Sequence, residues 1–349
     1  GDHRDLPSFP TRRSSDLTKV PLSLAEIRLL VDHDFGTSTE IAGTSELGDG
    51  WFNMAYSVSL KNPDKQVVLK VAPHSSIPVL TYESRCMEME IKAIEFFTQN
   101  GQIPVPKLLK HSLYPEKNPI GRKYFWMEKF QGQQLNHASR RMDKQTFTTV
   151  FGQLVEYQKK MNAVKGDYFG MYGIPQGGEK RFATWFDAFH SLMDDIISDY
   201  SRFQVQPPLF LIKCHQLLDR FRPYFDEVRE PKFVHWDLWE GNAFVWKNGN
   251  NYVFEGITDF ERALWGDLLM EFLFFVPQRK KLFIQQYDPS ILDSFTAQVR
   301  RTFYNVYFAA IIYVECTARA YPKVKAVFIR IWAKRSEERR VGKECRSRW

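Results

Sequence analysis

Cysteine and long apolar runs are scarce in this sequence. It has four cysteines in 349 residues, and the three outside the last 15 residues, Cys86, Cys214 and Cys316, have no spacing typical of a metal site. We therefore expect reduced cysteines and a cytoplasmic protein. The apolar stretch 303–314 is interrupted by Asn305 and is too short to cross a bilayer. These features argue against a disulfide framework and against a membrane partner.

The two ends of the chain are related to each other through their possible codons. Residues 8–17 can be encoded by TCT TTC CCT ACA CGA CGC TCT TCC GAT CT, and the reverse complement of that string encodes residues 335–343 and begins residue 344. The string resembles an adapter ligated to short-read sequencing fragments, so we expect residues 1–17 and 335–349 to be non-native tails and residues 18–334 to be native. A basic arm for nucleic acid would explain Arg339, Arg340 and Arg346 but not the complementarity.

An excess of charge of one sign is also lacking once these tails are set aside. The tails contain 9 of the 48 basic and 6 of the 41 acidic residues, which leaves 39 basic against 35 acidic residues. A net charge of +4 is too small to indicate nucleic acid or an anionic membrane as a partner. A native length of about 300 residues suggests one large or two modest domains. The oligomeric state stays open between monomer and dimer.

Two common catalytic motifs are missing as well. The sequence has no Gly-x4-Gly-Lys-Ser/Thr run, which excludes a P-loop enzyme, and no Gly-x-Ser-x-Gly elbow of a hydrolase. What it has instead is an apolar run into His235, followed by Asp237 and Asn242, and a second apolar run that ends on Asp259. Asp237 could orient a hydroxyl group and accept its proton, while Asn242 and Asp259 are oxygen ligands suited to magnesium on a triphosphate.

This pattern resembles the catalytic and metal loops of the protein-kinase-like fold. Trp236 stands where protein kinases have arginine, and Asp259-Phe260-Glu261 replaces Asp-Phe-Gly. The variant is similar to the aminoglycoside phosphotransferase and choline kinase group, which phosphorylates small molecules. The resemblance implies ATP, or alternatively GTP, with Mg²⁺ as cofactor, Asp237 as catalytic base, Asn242 and Asp259 as magnesium ligands, and His235 as a structural residue.

The first third of the chain contains a predicted nucleotide-binding hairpin. Residues 56–60 and 66–71 have strand character, and Lys70 lies near the end of the second strand. A helix predicted over residues 80–98 places Glu90 on its apolar stripe, where a carboxylate needs a partner. The resemblance assigns phosphate binding to Lys70, an ion pair with it to Glu90, and a place in the loop over the phosphates to Asn53. An exposed lysine and a solvated glutamate are the alternative.

Residues 123–130 are predicted to form a buried strand that leads into Gln131 and Gly132. This segment resembles the hinge between kinase lobes. The resemblance implies that Met127 closes the back of the adenine pocket and that the backbones of Glu128 and Phe130 bind the purine edge. An ordinary core strand that ends in a turn fits the local sequence equally well.

The remainder of the chain has mainly helical periodicity. Helices are predicted over residues 143–164, 183–203, 209–228, 267–276 and 290–321, with Asp143 as an N-cap and Asp267 as the cap of the fourth helix. A strand-rich first third and a helical remainder predict an α+β, bilobal arrangement. The expected boundaries are residues 18–130 for the nucleotide-binding N-lobe and 131–334 for the catalytic and acceptor-binding C-lobe.

The predicted function is ATP-dependent phosphorylation of a hydroxyl group on a small molecule, with an aminoglycoside-like or other cationic acceptor favoured. The alternatives are a ketosamine, homoserine or choline-type metabolite kinase and, from another class, a pseudokinase scaffold. A ketosamine acceptor is suggested by Trp239 after Leu238. Candidate acceptor-binding residues are Asp187, Asp194, Asp195 and Glu315, with Trp185 or Trp265 as a cation–π surface, unless these carboxylates are merely solvated. The roles of Glu261 and Arg262 stay open.

Overall fold

The structure is a computed structural model that describes residues 18–48, 52–62, 64–249, 251–274 and 277–319, with the backbone alone at residues 277, 278 and 317. The two predicted tails, 1–17 and 335–349, lie outside the described residues. So do residues 49–51, which belong to the loop predicted to lie over phosphates.

The N-terminal part is built on a five-stranded antiparallel sheet with the order β1-β2-β3-β5-β4. In β3, alternate side chains point to opposite faces, so Val67, Leu69 and Val71 lie on one face and Val68 and Lys70 on the other. The strands are β1 (Glu40–Glu46), β2 (Met54–Lys61), β3 (Lys65–Val71), β4 (Leu108–Ser112) and β5 (Tyr124–Glu128).

Helix α1 (Leu24–Phe35) covers the first face of this sheet. Ser23 begins the helix with a capping box, in which its hydroxyl accepts from the Glu26 N–H at 3.2 Å and its own N–H donates to the Glu26 carboxylate at 2.7 Å. Trp126 anchors the other end, because its indole N–H donates to Asp34 at 2.8 Å. The helical apolar spacing of residues 23–31 predicts a short leading helix, and the structure confirms it.

Helix α2 (Cys86–Asn100) covers the opposite face, so the side of β3 that carries Lys70 is turned towards it. The prediction began this helix at residue 80, but residues Thr81–Arg85 form a 3₁₀ turn instead. The Glu83 carboxylate accepts from the N–H of Leu80, the residue before this turn, at 2.7 Å. This hydrogen bond ends the extended segment at Leu80. The helix therefore starts about one turn later than its apolar spacing suggests.

The C-terminal part is mainly helical, as predicted. Asp143 caps α4 through the N–H of Thr146 at 2.7 Å. The predicted helix over residues 209–228 is divided by a 3₁₀ turn at Leu218–Phe221, and a helix at residues 277–287 was not predicted. The helices are α3 (Leu135–Ala138), α4 (Lys144–Ala163), α5 (Trp185–Arg202), α6 (Leu209–Leu217), α7 (Arg222–Phe225), α8 (Pro277–Tyr287) and α9 (Phe295–Ala318).

The helix predicted over residues 267–276 is wrong in type. The described part forms two 3₁₀ turns, Leu268–Met270 and Phe272–Phe274. Asp267 caps the first of them, since its carboxylate accepts from the Leu269 N–H at 3.0 Å, and it also pairs with Arg300 at 2.8 Å. The predicted capping role of Asp267 is thus confirmed on a shorter element.

Two small antiparallel sheets position the segments that carry the predicted chemistry. One has the order β10-β9-β6 and the other the order β7-β11-β8. Their strands are β6 (Gln133–Gln134), β7 (Gly170–Met171), β8 (Lys232–Val234), β9 (Ala243–Asn248), β10 (Asn251–Ile257) and β11 (Leu264–Gly266). The predicted α+β arrangement, with a strand-rich N-terminal part and a helical C-terminal part, is confirmed. Among the described helices, none combines the length and apolar character needed to cross a membrane.

Candidate functional site

The loop that follows β8 is held from behind by one buried carboxylate. The N–H groups of His235 and Trp236 both donate to Glu271, each at 3.1 Å, and Trp236 adopts φ 63°. Asn162 donates its side-chain amide to the same carboxylate at 2.9 Å. Burial raises the pKa of Glu271 while these donors oppose the rise. Glu271 was not predicted, although a lone carboxylate within the apolar run 268–274 is a signal that could have indicated it.

His235 is a buried neutral imidazole that links the two predicted chemical segments. Its Nε2 lies 3.0 Å from the carbonyl of Thr258, and its Nδ1 accepts from the Asp237 N–H at 3.3 Å. Burial lowers the pKa of His235 to about 4, so the ring stays uncharged at neutral pH. These contacts fit the structural role that the resemblance implied for it.

Asp237 and Asn242 face each other across the tight loop between β8 and β9. The Asn242 amide donates to the backbone carbonyl of Asp237 at 2.8 Å, and the Thr258 N–H donates to the Asn242 carbonyl at 3.0 Å. Burial raises the pKa of the Asp237 carboxyl group to about 7, with the positive charge of Arg262 opposing the rise. A carboxyl group with a pKa near neutrality is suited to accept a proton from a hydroxyl group.

The predicted ion pair between Lys70 and Glu90 is present, with Nζ 2.7 Å from Glu90 Oε1. The ammonium group also lies 2.8 Å from Asp259 Oδ1, so it bridges the sheet, α2 and the end of β10. Burial alone would lower the pKa of Lys70, but the two carboxylates raise it. The same ammonium group lowers the pKa of Asp259 against the effect of burial. Glu88, also on α2, does not join this pair but lies 2.9 Å from the Lys92 ammonium group.

A third carboxylate completes this cluster. Ligand atoms of Glu90, Asp259 and Glu261 all lie within 4.8 Å of one another. Burial and the neighbouring charge of Asp259 raise the pKa of Glu261 to about 8, and burial raises that of Glu90 to about 7. Asn53, at the start of β2, donates its amide to Glu261 at 2.9 Å. Asp259 has φ 71°, a backbone conformation that is uncommon outside glycine.

Arg262, whose positive charge acts on Asp237, belongs to a buried charged network. Its guanidinium group lies 3.2 Å from Glu315 and stacks over the rings of Tyr82, at 5.1 Å, and Trp236, at 5.9 Å. Tyr82 donates its hydroxyl proton to Glu315, and Arg319 pairs with Glu83. Among the described contacts, Glu261 accepts from Asn53 and Arg262 pairs with Glu315, so these two neighbours in sequence have different partners.

The predicted hinge residues lie at the end of β5 and just beyond it. Met127 is buried in the core, and the Glu128 N–H donates to the Lys107 carbonyl at 2.9 Å. The Phe130 ring packs on Phe244 with 5.2 Å between centroids. Beyond the hinge, the N–H groups of residues 131 and 132 both donate to Glu255 at 2.7 Å, a contact that the sequence did not reveal.

The residues predicted to bind an acceptor have different locations. Glu315 lies in the network beside Arg262, whereas Asp187 and Asp194 have their partners on helices α5 to α7 rather than in the catalytic loop. The predicted cation–π role is wrong for both tryptophans, because Trp185 is fully buried and Trp265 is packed in the core. Trp236, next to Asp237 in the sequence, stacks on Tyr307 with 5.6 Å between ring centroids.

Comparison with known proteins identifies the family. Residues 43–307 match the model of the phosphotransferase enzyme family, so the chain belongs to that family. A search of curated proteins finds no significant sequence match. The matched segment contains Asn53, Lys70, Asp237 and Asp259, whereas Glu315 lies beyond its end.

Solved structures of similar fold cover nearly the whole chain. A ternary complex of aminoglycoside phosphotransferase APH(4)-Ia with AMP-PNP and hygromycin B has a TM-score of 0.62 at 18% identity and covers 90% of this chain and 98% of that one. A putative fructosamine-3-kinase from Haemophilus somnus has a TM-score of 0.61 at 14% identity, with 89% and 97% covered. A GDP complex of aminoglycoside 2'-phosphotransferase-IIIa has 0.63 at 16%, with 92% and 99% covered. At these identities the likeness establishes the kinase-like fold.

Proposed function

We propose that this chain uses Mg²⁺-ATP to phosphorylate a hydroxyl group of a small molecule, with Asp237 as the catalytic base. The observation that carries the proposal is the crowding of Glu90, Asp259 and Glu261 around the single ammonium group of Lys70. Three carboxylates and one ammonium leave an excess of negative charge in a buried site, where unpaired charge is costly. A divalent cation would remove that cost.

The donor set of this cluster fits magnesium. Carboxylate and amide oxygens are its preferred protein ligands, and Asp259 and Asn242 are the residues that would hold it. One oxygen of Glu90 is buried without a hydrogen-bond partner among the described residues, which also fits a site that binds a further cation. Bound Mg²⁺ would neutralise charge that develops on the transferred phosphoryl group.

The residues around Asp237 fit a direct transfer step. The acceptor hydroxyl oxygen attacks the γ-phosphorus, the bond from that phosphorus to the β,γ-bridging oxygen breaks, and ADP leaves. Asp237 accepts the hydroxyl proton, for which a pKa of about 7 is favourable. Lys70, positioned by Glu90, would contact the phosphates, and Asn53 would hold the adjoining loop against Glu261.

For the nucleotide base, we propose the pocket lined by Met127 and the backbones of Glu128 and Phe130. The Glu128 carbonyl and the Phe130 N–H would contact the purine edge. Residues 18–130 would then form the nucleotide-binding lobe and residues 131–334 the catalytic and acceptor-binding lobe. GTP is the alternative donor, because backbone groups alone define this edge.

The proposed acceptor is a hydroxylated small molecule that carries a positive charge. Support comes from the buried carboxylate of Glu315, whose negative charge contributes to the raised pKa of Asp237. Some neighbours by fold were solved with gentamicin or with kanamycin and GDP. Glu315 already has Arg262 as a partner, so a cationic acceptor would have to compete with that guanidinium group.

A ketosamine is the second candidate acceptor, and one local contact favours it. The Leu238-Trp239 pair resembles the ketosamine kinases, and a Cβ placed on Gly241 would lie 2.3 Å from the Trp239 ring. Trp239 therefore requires glycine at position 241 in the loop that presents Asn242. A fructosamine kinase also appears among the structural neighbours.

The test is a nucleotide-consumption screen with aminoglycosides, choline-like amines, homoserine, ketosamines and neutral sugars. We expect turnover with an amine-bearing acceptor and its loss in Asp237→Asn. Efficient turnover with an uncharged sugar and no response to any amine would contradict the acceptor assignment. Nucleotide binding without turnover of any acceptor would favour the pseudokinase alternative.

A further inference from the structure

A second cluster of metal-binding side chains lies on the helical part, away from the catalytic loop. Asp194 of α5 places its Oδ2 2.9 Å from Nδ1 of His190, one turn earlier in the same helix. Its Oδ1 lies 2.7 Å from Nε2 of His215, which comes from α6. One ligand atom from each residue lies within 4.8 Å of the other two.

The geometry of these atoms fits a small divalent cation. Zinc binds imidazole nitrogen and carboxylate oxygen at about 2.0–2.2 Å, so ligand atoms in a tetrahedral site lie about 3.3 Å apart. The contacts from Asp194 to the two rings are close to that separation, and the His190 and His215 ring centroids are 5.3 Å apart. Both rings are half-buried, with 31% and 30% of their side-chain surface exposed, so an ion could enter from solvent.

We propose that His190 Nδ1, His215 Nε2 and the Asp194 carboxylate form a zinc site, with water in the fourth position. Two imidazoles and a carboxylate form a donor set that suits zinc better than calcium or magnesium, which prefer oxygen ligands alone. The proposed site is separate from the magnesium site of the catalytic cluster, which contains no histidine ligand.

Asp219 supplies an independent indication of a metal site. Its Oδ1 lies 4.0 Å from Nε2 of His190, the ring nitrogen that faces away from Asp194. Histidines that bind a metal through one nitrogen usually donate the other N–H to a carboxylate, which fixes the tautomer and the ring orientation. At 4.0 Å the two groups are not hydrogen-bonded, but a small rotation of the exposed Asp219 side chain would bring its carboxylate to this nitrogen.

The expected effect of the ion is to attach α6 to α5. Helix α6 spans nine residues, of which Leu211 is buried, so its apolar contacts are few. Without a metal, the Asp194 carboxylate joins the two helices only through hydrogen bonds to imidazole rings that are partly exposed. A coordinated ion would replace these with stronger bonds and would raise the melting temperature by binding the folded state.

The experiment is equilibrium dialysis of the full chain against Zn²⁺ in the presence of excess Mg²⁺, which occupies the oxygen ligands of the catalytic cluster. We expect one zinc equivalent in the wild type, and its loss in His215→Ala and in the nearly isosteric Asp194→Asn. The matched control is His137→Ala, which removes an exposed histidine from α3 and should retain the zinc. Far-UV circular dichroism establishes that each variant is folded, and Asp194→Asn decides the outcome if His215→Ala is not.

Asp219→Asn tests the geometry more finely. It should weaken zinc binding by about 10- to 100-fold without abolishing it, as expected for the partner of a ligand. A wild-type chain that binds no zinc would overturn the proposal. So would zinc binding that is unchanged in both His215→Ala and Asp194→Asn, because the ion would then lie elsewhere.

Discussion

Asp237 and Asp259 lie in one buried site, yet their carboxyl groups have opposite pKa shifts. Burial raises the pKa of Asp237 to about 7, whereas the Lys70 ammonium group at 2.8 Å lowers that of Asp259. In the proposed mechanism Asp237 accepts a proton and Asp259 stays ionised to bind Mg²⁺, and the difference in pKa suits both roles. The environment of each carboxylate thus distinguishes two residues of the same type.

We predict that Asp237→Asn and Asp259→Asn both reduce phosphoryl transfer by orders of magnitude, for different reasons. Asp237→Asn should leave the affinity for Mg²⁺-nucleotide nearly unchanged, because it removes the base. Asp259→Asn should weaken that affinity, because it removes a metal ligand. Steady-state kinetics and nucleotide titration measure the two effects. The control is Asp167→Asn at an exposed position, and wild-type turnover in Asp237→Asn would show that the base is another residue.

The pKa of Glu261 predicts how stability depends on pH. Its folded-state pKa of about 8 exceeds the ordinary value of 4.5, so between these values the folded chain binds more protons than the unfolded chain. The free energy of unfolding should therefore fall as the pH rises from about 5 to about 8. Thermal melts across this range should show a shallower fall in Glu261→Gln and in the presence of Mg²⁺-nucleotide. A melting temperature that rises over this range in the wild type would contradict the assignment.

Some of these residues could be predicted and others could not, for a physical reason. The pair of Lys70 and Glu90 was predictable because the motif around Asp237 resembles that of a kinase family; the local sequence alone fits an exposed lysine and a solvated glutamate equally well. The apolar run around Glu271 marks it as a buried carboxylate, but the groups that Glu271 and Glu255 bind were not predictable, because backbone N–H groups leave no trace in the residue types of the loops. Every residue except proline offers a backbone N–H group, so a carboxylate that binds such groups places no constraint on the side chains of the loop.

At the scale of the element, the 3₁₀ turns of residues 268–274 show why apolar spacing misled the prediction. The run has helical periodicity, but the Asp267 carboxylate binds the N–H of Leu269 and Glu271 turns towards the catalytic loop. Polar contacts at the start and in the middle of the run thus favour short turns over a continuous helix. By contrast, α1 and α4 each begin after a residue with a capping side chain, Ser23 and Asp143, and both helices were predicted within a few residues.

The catalytic loop should depend on Glu271 for its conformation. In Glu271→Gln, one oxygen becomes an amide group that cannot accept from the N–H of His235 or Trp236, which should cost about 1–3 kcal/mol in the free energy of unfolding. The rate of transfer should fall as well, since the loop carries Asp237. Urea unfolding and kcat measure the two quantities. Glu156→Gln on the exposed side of α4 is the control, and equal stability of both variants would show that Glu271 does not anchor the loop.

The loop between Asp237 and Asn242 should be equally sensitive to a single methyl group. A Cβ at Gly241 would lie 2.3 Å from the Trp239 ring, so either the ring or the loop must move in Gly241→Ala. A displacement of about 1 Å in a catalytic group can reduce turnover by about 100-fold. Gly43→Ala is the matched control, because nothing lies within 4 Å of its new Cβ. If both variants have the same kcat, the loop accommodates the methyl group without moving Asn242.

At the scale of the whole molecule, the bilobal architecture could be predicted from the change from strand to helix periodicity. The network that joins its first and last thirds could not. Arg319 follows α9 but binds Glu83 of the 3₁₀ turn before α2, with Nε 3.1 Å from the carboxylate. No local pattern links residues so far apart, because their partner choice is decided only by the packed structure.

We predict that a chain of residues 18–334 has the same melting temperature as the full chain. The complementarity of the possible codons at the two ends suggests that residues 1–17 and 335–349 are non-native, so their removal should not change stability. Differential scanning calorimetry of the two chains checks this. A clearly lower value for the shorter chain would mean that the tails belong to the fold.

The contact between Glu83 and Arg319 also has a consequence for synthesis on the ribosome. The two residues are 236 positions apart, so Glu83 has no Arg319 to pair with until the intervening residues have been translated. At about 5–20 residues per second this interval is about 10–50 s. The N-terminal sheet can form early, but the contact between Glu83 and Arg319 forms only after the end of α9 has emerged from the ribosome. Nascent chains stalled before Arg319 should therefore be protease-sensitive around residues 80–85.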